Sequence, residues 1–154
     1  MEKFPHISQY ITPERVLDLD IETKEEALEA LLKVINHSDL VTDKNILRNA
    51  IYAREKLMST GIGYGIAIPH ARHASVKDFV IAVGRCKNGV PCDSIDDKPV
   101  TLFLMIVASD KQDKDYLRLL SRIVNILKNK ELLEDISQAE NATQLYNVIV
   151  NEKN

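Results

Sequence analysis

A histidine that directly follows a proline at the end of an apolar run is the residue best suited to chemistry in this sequence. It is His70, in the run Ile66-Ala67-Ile68-Pro69-His70-Ala71. Pro69 has a fixed φ and no N–H, so we expect a strand to end there with His70 at its rim. A neutral imidazole is a nitrogen nucleophile near neutral pH, because its reference pKa is about 6.5. The run alone also fits a turn histidine bonded to a nearby carbonyl, and that alternative stays open.

Glycines and donor side chains precede this histidine. Three of the five glycines lie within 61–65, and glycine backbone can turn successive N–H groups toward an anion. Ser59 and Thr60 add hydroxyl groups, and Arg54 adds a planar guanidinium that suits phosphate. A nucleophilic histidine beside backbone donors and an arginine meets the needs of phosphoryl transfer, in which the protein mainly positions groups and stabilises oxygens. Without that context, Arg54 is also typical of a solvated helix residue paired with an acidic neighbour.

The same segment resembles a known signature. Glu55, followed after six residues by Ile62-Gly63-Tyr64-Gly65-Ile66-Ala67-Ile68-Pro69-His70-Ala71, is similar to the phosphorylation-site signature of enzyme IIA domains. These domains belong to the bacterial phosphoenolpyruvate-dependent sugar phosphotransferase system. The resemblance is to the fructose/mannitol type, which includes the nitrogen-regulatory enzyme IIA proteins, and it extends from about Val16 to Val150. The order of the predicted elements also fits that family's α/β sandwich.

The resemblance implies roles for particular residues. His70 would accept a phosphoryl group, on Nε2, from the histidine-containing phosphocarrier protein, and would pass it to an enzyme IIB or keep it as a regulatory signal. Arg54 would hold the phosphoryl oxygens, and no metal or organic cofactor is implied. The supporting residues would be Glu55, Thr60, Gly61, Gly63 and Tyr116.

At one position the sequence departs from the family. Members often have a second histidine, followed by leucine, at the start of the helix after the last strand, where this chain reads Asp115-Tyr116-Leu117. A tyrosine does not titrate near neutral pH, because its reference pKa is about 10, although its hydroxyl can donate a hydrogen bond. Whether Tyr116 replaces the second histidine is left open by the resemblance.

The other histidines and the cysteines have plainer interpretations. His73 follows His70 at H-x-x-H spacing, but a metal site would need a shared helical face and a third ligand, and Pro69 argues against a helix there. A hydrolase or metal enzyme built on these two histidines is therefore the weakest alternative. We expect loop positions for two histidines and reduced thiols for both cysteines, namely His6, His37, Cys86 and Cys92.

Local patterns predict helices and strands in alternation. Helices are predicted to begin at Thr23, where Glu26 completes a capping box, and at Asp113, and to cover 43–58, 130–136 and 142–150. Strands are predicted within 11–20 and over 66–68, 79–86 and 100–108, with a turn at Asn88-Gly89. The helix from Asp113 is expected to bury Leu117, Leu120, Val124 and Leu127. Because the run at 100–108 is continuously apolar, we expect a three-layer α/β/α sandwich, its mixed sheet having about four or five strands.

Length and composition restrict the class of protein. The 154 residues predict one domain. The resemblance implies that this is a single enzyme IIA type-2 domain over 1–154, with a core over about 12–150. Twenty Lys and Arg against 23 Asp and Glu lack the basic excess of a nucleic-acid binder. The first 12 residues lack a signal peptide's apolar stretch, and the longest apolar run, 102–108, is far shorter than the about 20 residues of a membrane helix. We therefore expect a cytoplasmic protein without nucleic-acid partners or membrane insertion.

Two functions fit these observations. The first is a phosphotransferase, in which His70 attacks a phosphoryl donor in line, Arg54 and the 61–65 backbone stabilise the oxygens, and protein partners dock on an exposed apolar rim near His70. The second is a regulatory binding protein whose phosphohistidine changes its protein contacts, since phosphorylation adds about −1.5 to −2 charges. The sequence shows no attached IIB or membrane IIC segment, which favours the second function without excluding a separate-chain transport component.

Overall fold

A mixed six-stranded sheet lies at the centre of the computed structural model, which describes residues 7–151. Its strands are β1 (Val16–Asp18), β2 (Gly61–Gly63), β3 (Ile66–Ala67), β4 (His70–Arg72), β5 (Val80–Val90) and β6 (Val100–Ala108). The strand order is β1-β5-β6-β3-β2, and β4 also pairs with β6. β5 and β6 are antiparallel, whereas β3 and β4 run parallel to β6. The mixed sheet confirms the predicted α/β class.

Helices cover both faces of this sheet. They are α1 (Lys24–Ile35), α2 (Lys44–Leu57), α3 (Asp113–Leu127), α4 (Lys130–Gln138) and α5 (Ala142–Val150). Alternate residues of β6 face opposite ways, so Phe103 joins a core cluster with α1 and α2, whereas Leu104 joins one with α3, α4 and α5. The predicted three layers are thus confirmed. Within 7–151 there is no helix with the length and apolar character needed to cross a bilayer.

The sheet has six strands rather than the expected four or five, because two short strands, β2 and β4, flank β3 in the chain. Pro69 interrupts the pairing with β6 without ending it, since Ile66 pairs with Leu102 and His70 pairs with Ile106. The Pro69 carbonyl accepts a hydrogen bond from the Ile106 N–H at 2.9 Å. Proline lacks a donor but keeps its acceptor, so the ladder resumes one residue later. The expected end of the strand before Pro69 is confirmed, since β3 ends at Ala67, but the expectation of His70 at a rim was wrong, because His70 begins β4.

Other local predictions fared differently. Thr23 caps α1 by accepting a hydrogen bond from the Glu26 N–H at 3.2 Å, as predicted. The predicted turn at Asn88-Gly89 is instead part of β5, where Gly89 takes a φ of 77° at a register shift. The predicted buried stripe of α3 is confirmed at Leu127 but was wrong at Leu117, which is exposed, and the remaining two predicted residues, Leu120 and Val124, are only partly buried. The residues of α3 that are buried are Tyr116, Leu119, Ile123 and Leu127. His37 lies in the turn after α1, and His6 lies outside the described residues.

An almost fully buried arginine joins three elements on the side of the sheet that α4 covers. Arg85 of β5 donates from Nη2 to Asp18 Oδ2 at 2.7 Å and from Nε to Asp18 Oδ1 at 3.2 Å. Its Nη1 donates to the carbonyls of Ile136 and Ala139, where α4 ends. The hydrogen bonds from Arg85 lower the pKa of Asp18, whose charged form is thereby favoured in the folded protein.

Candidate functional site

His70 is the first residue of β4, and its ring is held by the main chain. Its Nδ1 lies 2.6 Å from the carbonyl oxygen of Ile68. Because a carbonyl can only accept, Nδ1 carries the proton and Nε2 keeps a free lone pair in the neutral ring. Burial lowers the pKa of His70, and the Arg54 guanidinium lowers it further, against the opposing effects of the Ile68 contact and Glu55. His70 is thus bonded to a nearby carbonyl and carries a ring that is mostly neutral at pH 7.

Arg54 lies in the last turn of α2, on the opposite side of the sheet from α3. Its Nη1 donates to the Met58 carbonyl at 2.9 Å, which ties the side chain to the backbone just beyond the helix. The guanidinium is close enough to His70 and to Tyr116 to lower the pKa of each. An arginine has five N–H donors in a planar fork, so donors remain for an anion beside His70.

Tyr116 lies beside His70 in the first turn of α3. The two ring centroids are 6.0 Å apart, and the ring planes are tilted by 51°. Burial raises the pKa of Tyr116 to about 12, although Arg72 and Arg54 both act to lower it. The phenol therefore keeps its proton at neutral pH and can only act there as a hydrogen-bonding group. The structure brings the predicted residues His70, Arg54 and Tyr116 together at one place.

Arg72 also belongs to this place, although the sequence analysis did not single it out. Its Cζ lies 5.0 Å from the centroid of the Tyr116 ring, and its Nη1 forms an ion pair with Asp113. A signal was present in the sequence, because residues two apart in an extended strand share a face. The expectation that the strand ended at Pro69 concealed that spacing between His70 and Arg72.

Glu55 and Thr60 form a partly buried contact that the backbone connects to His70. The Thr60 hydroxyl donates to Glu55 Oε1, and the Lys24 ammonium lies 2.6 Å from Glu55 Oε2. The Thr60 carbonyl in turn accepts from the Ile68 N–H at 3.0 Å. Ile68 is the residue whose carbonyl holds the His70 ring. Glu55 and Thr60 are therefore connected by hydrogen bonds to the backbone that holds the His70 ring.

The glycines at 61–65 do not form the open anion nest that their spacing suggested. Gly61 and Gly63 belong to β2, the Gly61 N–H donates to Ser59 Oγ at 3.1 Å, and the Tyr64 N–H donates to an Asp96 carboxylate oxygen at 3.3 Å. These two amides are thus already bonded within the protein. Gly61 instead permits close packing, because a Cβ there would lie 2.3 Å from Ser94 Oγ. Gly63 has a φ of 89°, which side-chain-bearing residues rarely adopt.

Exposed apolar side chains lie next to the site residues. We call the following set the apolar rim: Leu57, Met58, Tyr64, Ile95 and Leu117. Met58 contributes the carbonyl that Arg54 binds, and Leu117 directly follows Tyr116. Ile95 lies against Gly63, where an added Cβ would be 3.4 Å from its Cγ2. The docking of protein partners was expected to need exposed apolar side chains of this kind.

His73 and the two cysteines have structural roles. His73 Nδ1 accepts from the Ser75 N–H at 3.0 Å, in the turn after β4, and does not share a helical face with His70. Across 7–151, no three His, Cys, Asp or Glu side chains come together in a way that could hold a metal ion. Cys86 and Cys92 are both free and both buried. Burial raises the pKa of Cys86 to about 12 and that of Cys92 to about 11, so both stay as thiols.

Comparison with known proteins identifies the family. The family model described as "Phosphoenolpyruvate-dependent sugar phosphotransferase system, EIIA 2" matches residues 9–152. The chain belongs to this EIIA 2 family. The match confirms the resemblance inferred from the signature around His70. It also confirms the predicted class, a component of the phosphotransferase system.

Relatives in the EIIA 2 family carry both sugar-specific and nitrogen-regulatory names. The fructose-specific EIIA component of Haloferax volcanii is 33% identical over 141 residues, covering 90% of this chain and 92% of the relative. The fructose-specific EIIABC component of Bacillus subtilis is 34% identical over 144 residues, which are 93% of this chain but only 23% of that protein. The crystal structure of nitrogen regulatory protein IIA-Ntr from Neisseria meningitidis has a TM-score of 0.84 at 29% identity, covering 93% of this chain and 98% of that one.

Proposed function

We propose that His70 accepts a phosphoryl group on Nε2 and passes it to a second protein. The observation that carries the proposal is the 2.6 Å contact between His70 Nδ1 and the Ile68 carbonyl, because it leaves the lone pair on Nε2. Burial lowers the pKa of His70, so the neutral form that can attack phosphorus is the one present at neutral pH. Membership of the EIIA 2 family supports this chemistry.

The transfer step balances with groups on the two proteins and one solvent proton. The Nε2 lone pair attacks the phosphorus of a phosphohistidine on the donor, in line with the bond to be broken. The Nε2–P bond forms while the donor's N–P bond breaks, and the donor ring keeps that electron pair and takes up a proton from solvent. Nδ1 of His70 keeps its proton, which stays hydrogen-bonded to the Ile68 carbonyl. The phosphorylated ring is therefore positive, and the negative charge of the phosphoryl group offsets this charge. In the transfer to the acceptor, the acceptor's nucleophile forms the new bond to phosphorus while the Nε2–P bond breaks, and Nε2 of His70 keeps that electron pair.

The surrounding residues support this step in different ways. Arg54 supplies charged N–H donors to the phosphoryl oxygens, and Tyr116 supplies a neutral O–H from the position where relatives often have a second histidine. Glu55 and Thr60 fix the backbone that orients His70. The glycine segment with Gly61 and Gly63 acts through its shape, because its amides at Gly61 and Tyr64 are bonded within the chain.

The partners that fit this site are proteins. We propose the histidine-containing phosphocarrier protein as donor and an enzyme IIB as acceptor, both docking on the apolar rim, with the exchange in the cytoplasm, where the free thiols of Cys86 and Cys92 would persist. No metal or organic cofactor takes part in the proposed step. A second candidate is a regulatory role, in which phosphorylated His70 changes a contact with a target protein. The TM-score of 0.84 with a nitrogen regulatory protein is the observation that favours it.

An intact-mass assay tests the acceptor. The protein is incubated with phosphoenolpyruvate, enzyme I and the phosphocarrier protein, beside His70→Ala and the matched control His73→Ala. We expect one acid-labile phosphoryl group on the wild type and on His73→Ala, and none on His70→Ala. Uptake that survives in His70→Ala would overturn the proposal. Adding an enzyme IIB then separates the two candidates, because only a transport component passes the group on.

A further inference from the structure

We propose that Arg72 is a positioning residue of the phosphoryl site, which holds the ring of Tyr116 beside His70 and adds a second positive charge to that of Arg54. The proposal rests on the proposed function of His70 as phosphoryl acceptor. It concerns a residue outside the signature that identified the family and outside the set predicted from the sequence.

The strand β4 places Arg72 and His70 on one face of the sheet. His70 pairs with Ile106 of β6 and Arg72 pairs with Ala108, and both partners belong to the core cluster under α3. Ala71, between them, belongs to the cluster on the α1 and α2 side. Because side chains alternate along a strand, His70 and Arg72 both project toward α3.

Two residues of the first turn of α3 hold the Arg72 side chain. Its guanidinium carbon lies 5.0 Å from the Tyr116 ring centroid, and its Nη1 forms an ion pair with Asp113. Asp113 and Tyr116 are three apart in the helix and so lie on the same side of it. The Tyr116 ring, 6.0 Å from the His70 ring, is therefore held by a cation that the helix itself anchors.

This arrangement has a consequence for a phosphoryl group on His70. Arg54 approaches from the end of α2, whereas Arg72 lies on the strand that carries His70. Both guanidinium groups are close enough to Tyr116 to lower its pKa. A group added at His70 Nε2 would therefore meet positive charge from two elements and a tyrosine ring fixed by one of them. Loss of Arg72 removes one of the charges and releases the ring.

The test measures how long the phosphoryl group stays on His70. The phosphorylated protein is separated from its donor, and loss of the phosphoryl group is followed by intact mass for the wild type, Arg72→Gln, Arg72→Lys and Asp113→Asn. We expect Arg72→Gln to shorten the lifetime about two- to fivefold, the effect of a cation over an aromatic ring at an exposed site. Arg72→Lys keeps the charge but loses the planar contact, so we expect it to restore part of the lifetime.

Helix α2 offers a matched control. Arg48 lies 5.2 Å from the centroid of the Tyr52 ring and pairs with Glu29, so it repeats the arginine, tyrosine and carboxylate arrangement. It precedes Arg54 by six residues, about 9 Å along the helix. We expect Arg48→Gln to leave the lifetime unchanged. A lifetime in Arg72→Gln no shorter than in Arg48→Gln would overturn the proposal, and Arg72→Lys and Asp113→Asn carry the test if Arg72→Gln does not fold.

A second measurement separates positioning from general stability. In the unphosphorylated protein, the ring protons of His70 sense the ring current of Tyr116, so their NMR shifts should change in Arg72→Gln and stay constant in Arg48→Gln. Unchanged His70 shifts in Arg72→Gln would overturn the positioning role. If the wild type takes up no phosphoryl group at all, the proposed function fails, whereas the NMR comparison still decides whether Arg72 positions the ring.

Discussion

The rings of His70 and Tyr116 lie with their centroids 6.0 Å apart and their planes tilted by 51°. One ring comes from the sheet and the other from the helix that covers it. Burial lowers the pKa of His70 and raises the pKa of Tyr116 to about 12. At neutral pH the site thus combines a neutral imidazole with a phenol that keeps its proton.

Removal of the Tyr116 hydroxyl tests its role as a donor. Tyr116→Phe keeps the ring beside His70, so we expect phosphoryl uptake to slow about tenfold, the effect of one hydrogen bond to a charged group. Rapid-quench intact-mass measurements give the rate. Tyr52→Phe is the control, because the Tyr52 hydroxyl bonds to Glu29 on the surface of α1. Wild-type rates in Tyr116→Phe would show that the hydroxyl does not contact the phosphoryl group.

Neutralisation of Arg54 should impair transfer more strongly. Arg54→Gln removes the charged donors proposed for the phosphoryl oxygens, and loss of one such donor typically costs about 100-fold in rate. Arg54→Lys retains the charge without the planar fork, so its transfer rate should lie between those of the wild type and Arg54→Gln. The same rapid-quench assay with saturating donor measures the effect, with Arg48→Gln as an arginine control on the same helix. An effect on the apparent donor KM alone would mean that Arg54 acts in docking.

The pH dependence of uptake follows from His70. Burial, followed by the Arg54 charge, lowers its pKa from the ordinary value of 6.5, so the ring is mostly neutral at pH 6.5. We expect the uptake rate to fall with acid at a lower pH than the protonation of an ordinary histidine would give. NMR titration of His70 should show its midpoint at the same lowered pH. In Arg54→Gln the midpoint should move upward, and a midpoint above 6.5 in the wild type would contradict the assignment.

Gly61 should be intolerant of any side chain. A Cβ at this position would lie 2.3 Å from Ser94 Oγ and 3.0 Å from Ser94 Cα, so the loop after β5 must move. We expect Gly61→Ala to lower the free energy of unfolding by about 1–3 kcal/mol, the usual cost of overpacking. Ser94→Gly removes the nearest atom and should recover part of the loss in the double variant. Strictly additive effects in urea unfolding would show that the two residues are not in contact.

The ion pair between Asp18 and Arg85 should make stability depend on acid pH. Asp18→Asn leaves the nearly fully buried Arg85 without its carboxylate, and such a loss typically lowers the free energy of unfolding by about 3–5 kcal/mol. Because the Asp18 side chain is partly exposed, we expect a value at the lower end of this range. Because Arg85 lowers the pKa of Asp18, this stabilisation is present above the ordinary pKa of 3.8 and is lost as pH falls through the folded-state value. In urea unfolding, the free energies of unfolding of the wild type and Asp18→Asn should become more similar as the pH is lowered. A constant difference would contradict the pairing.

Patterns within a few neighbouring residues accounted for much of this protein. The cap at Thr23 depends on a residue three positions further along the chain, so it could be inferred locally. The continuous apolar run of β6 likewise indicated a strand that is buried on both faces. The run through Pro69 to His70 also indicated a histidine whose position is fixed by the proline before it. The signature around it placed the chain in the EIIA 2 family, which the family model confirms.

Local patterns failed where a distant partner decided the outcome. Nothing near Pro69 shows that β6 continues to pair beyond it, since the Ile106 N–H that bonds the Pro69 carbonyl comes from another strand. On α3 several leucines compete for burial, and only the packing of the helix selected Leu119 over Leu117. The glycine segment was assigned to an anion nest because the bonds from its amides to Ser59 and Asp96 depend on the folded chain.

The sequence by itself determined the α/β class, the helix starts and the kinds of side chain present at the candidate site, because residue type decides which groups can act as nucleophile, cation or cap. Only the tertiary structure decided that Arg72 lies on the ring of Tyr116 and that Glu55 is connected through Thr60 and Ile68 to the backbone beside His70. Arg72 and its ion-pair partner Asp113 are 41 residues apart in the chain. Contacts of that kind form when a helix packs on a strand. The free energy that fixes this packing comes from burial of the whole core and not from residues close together in the chain.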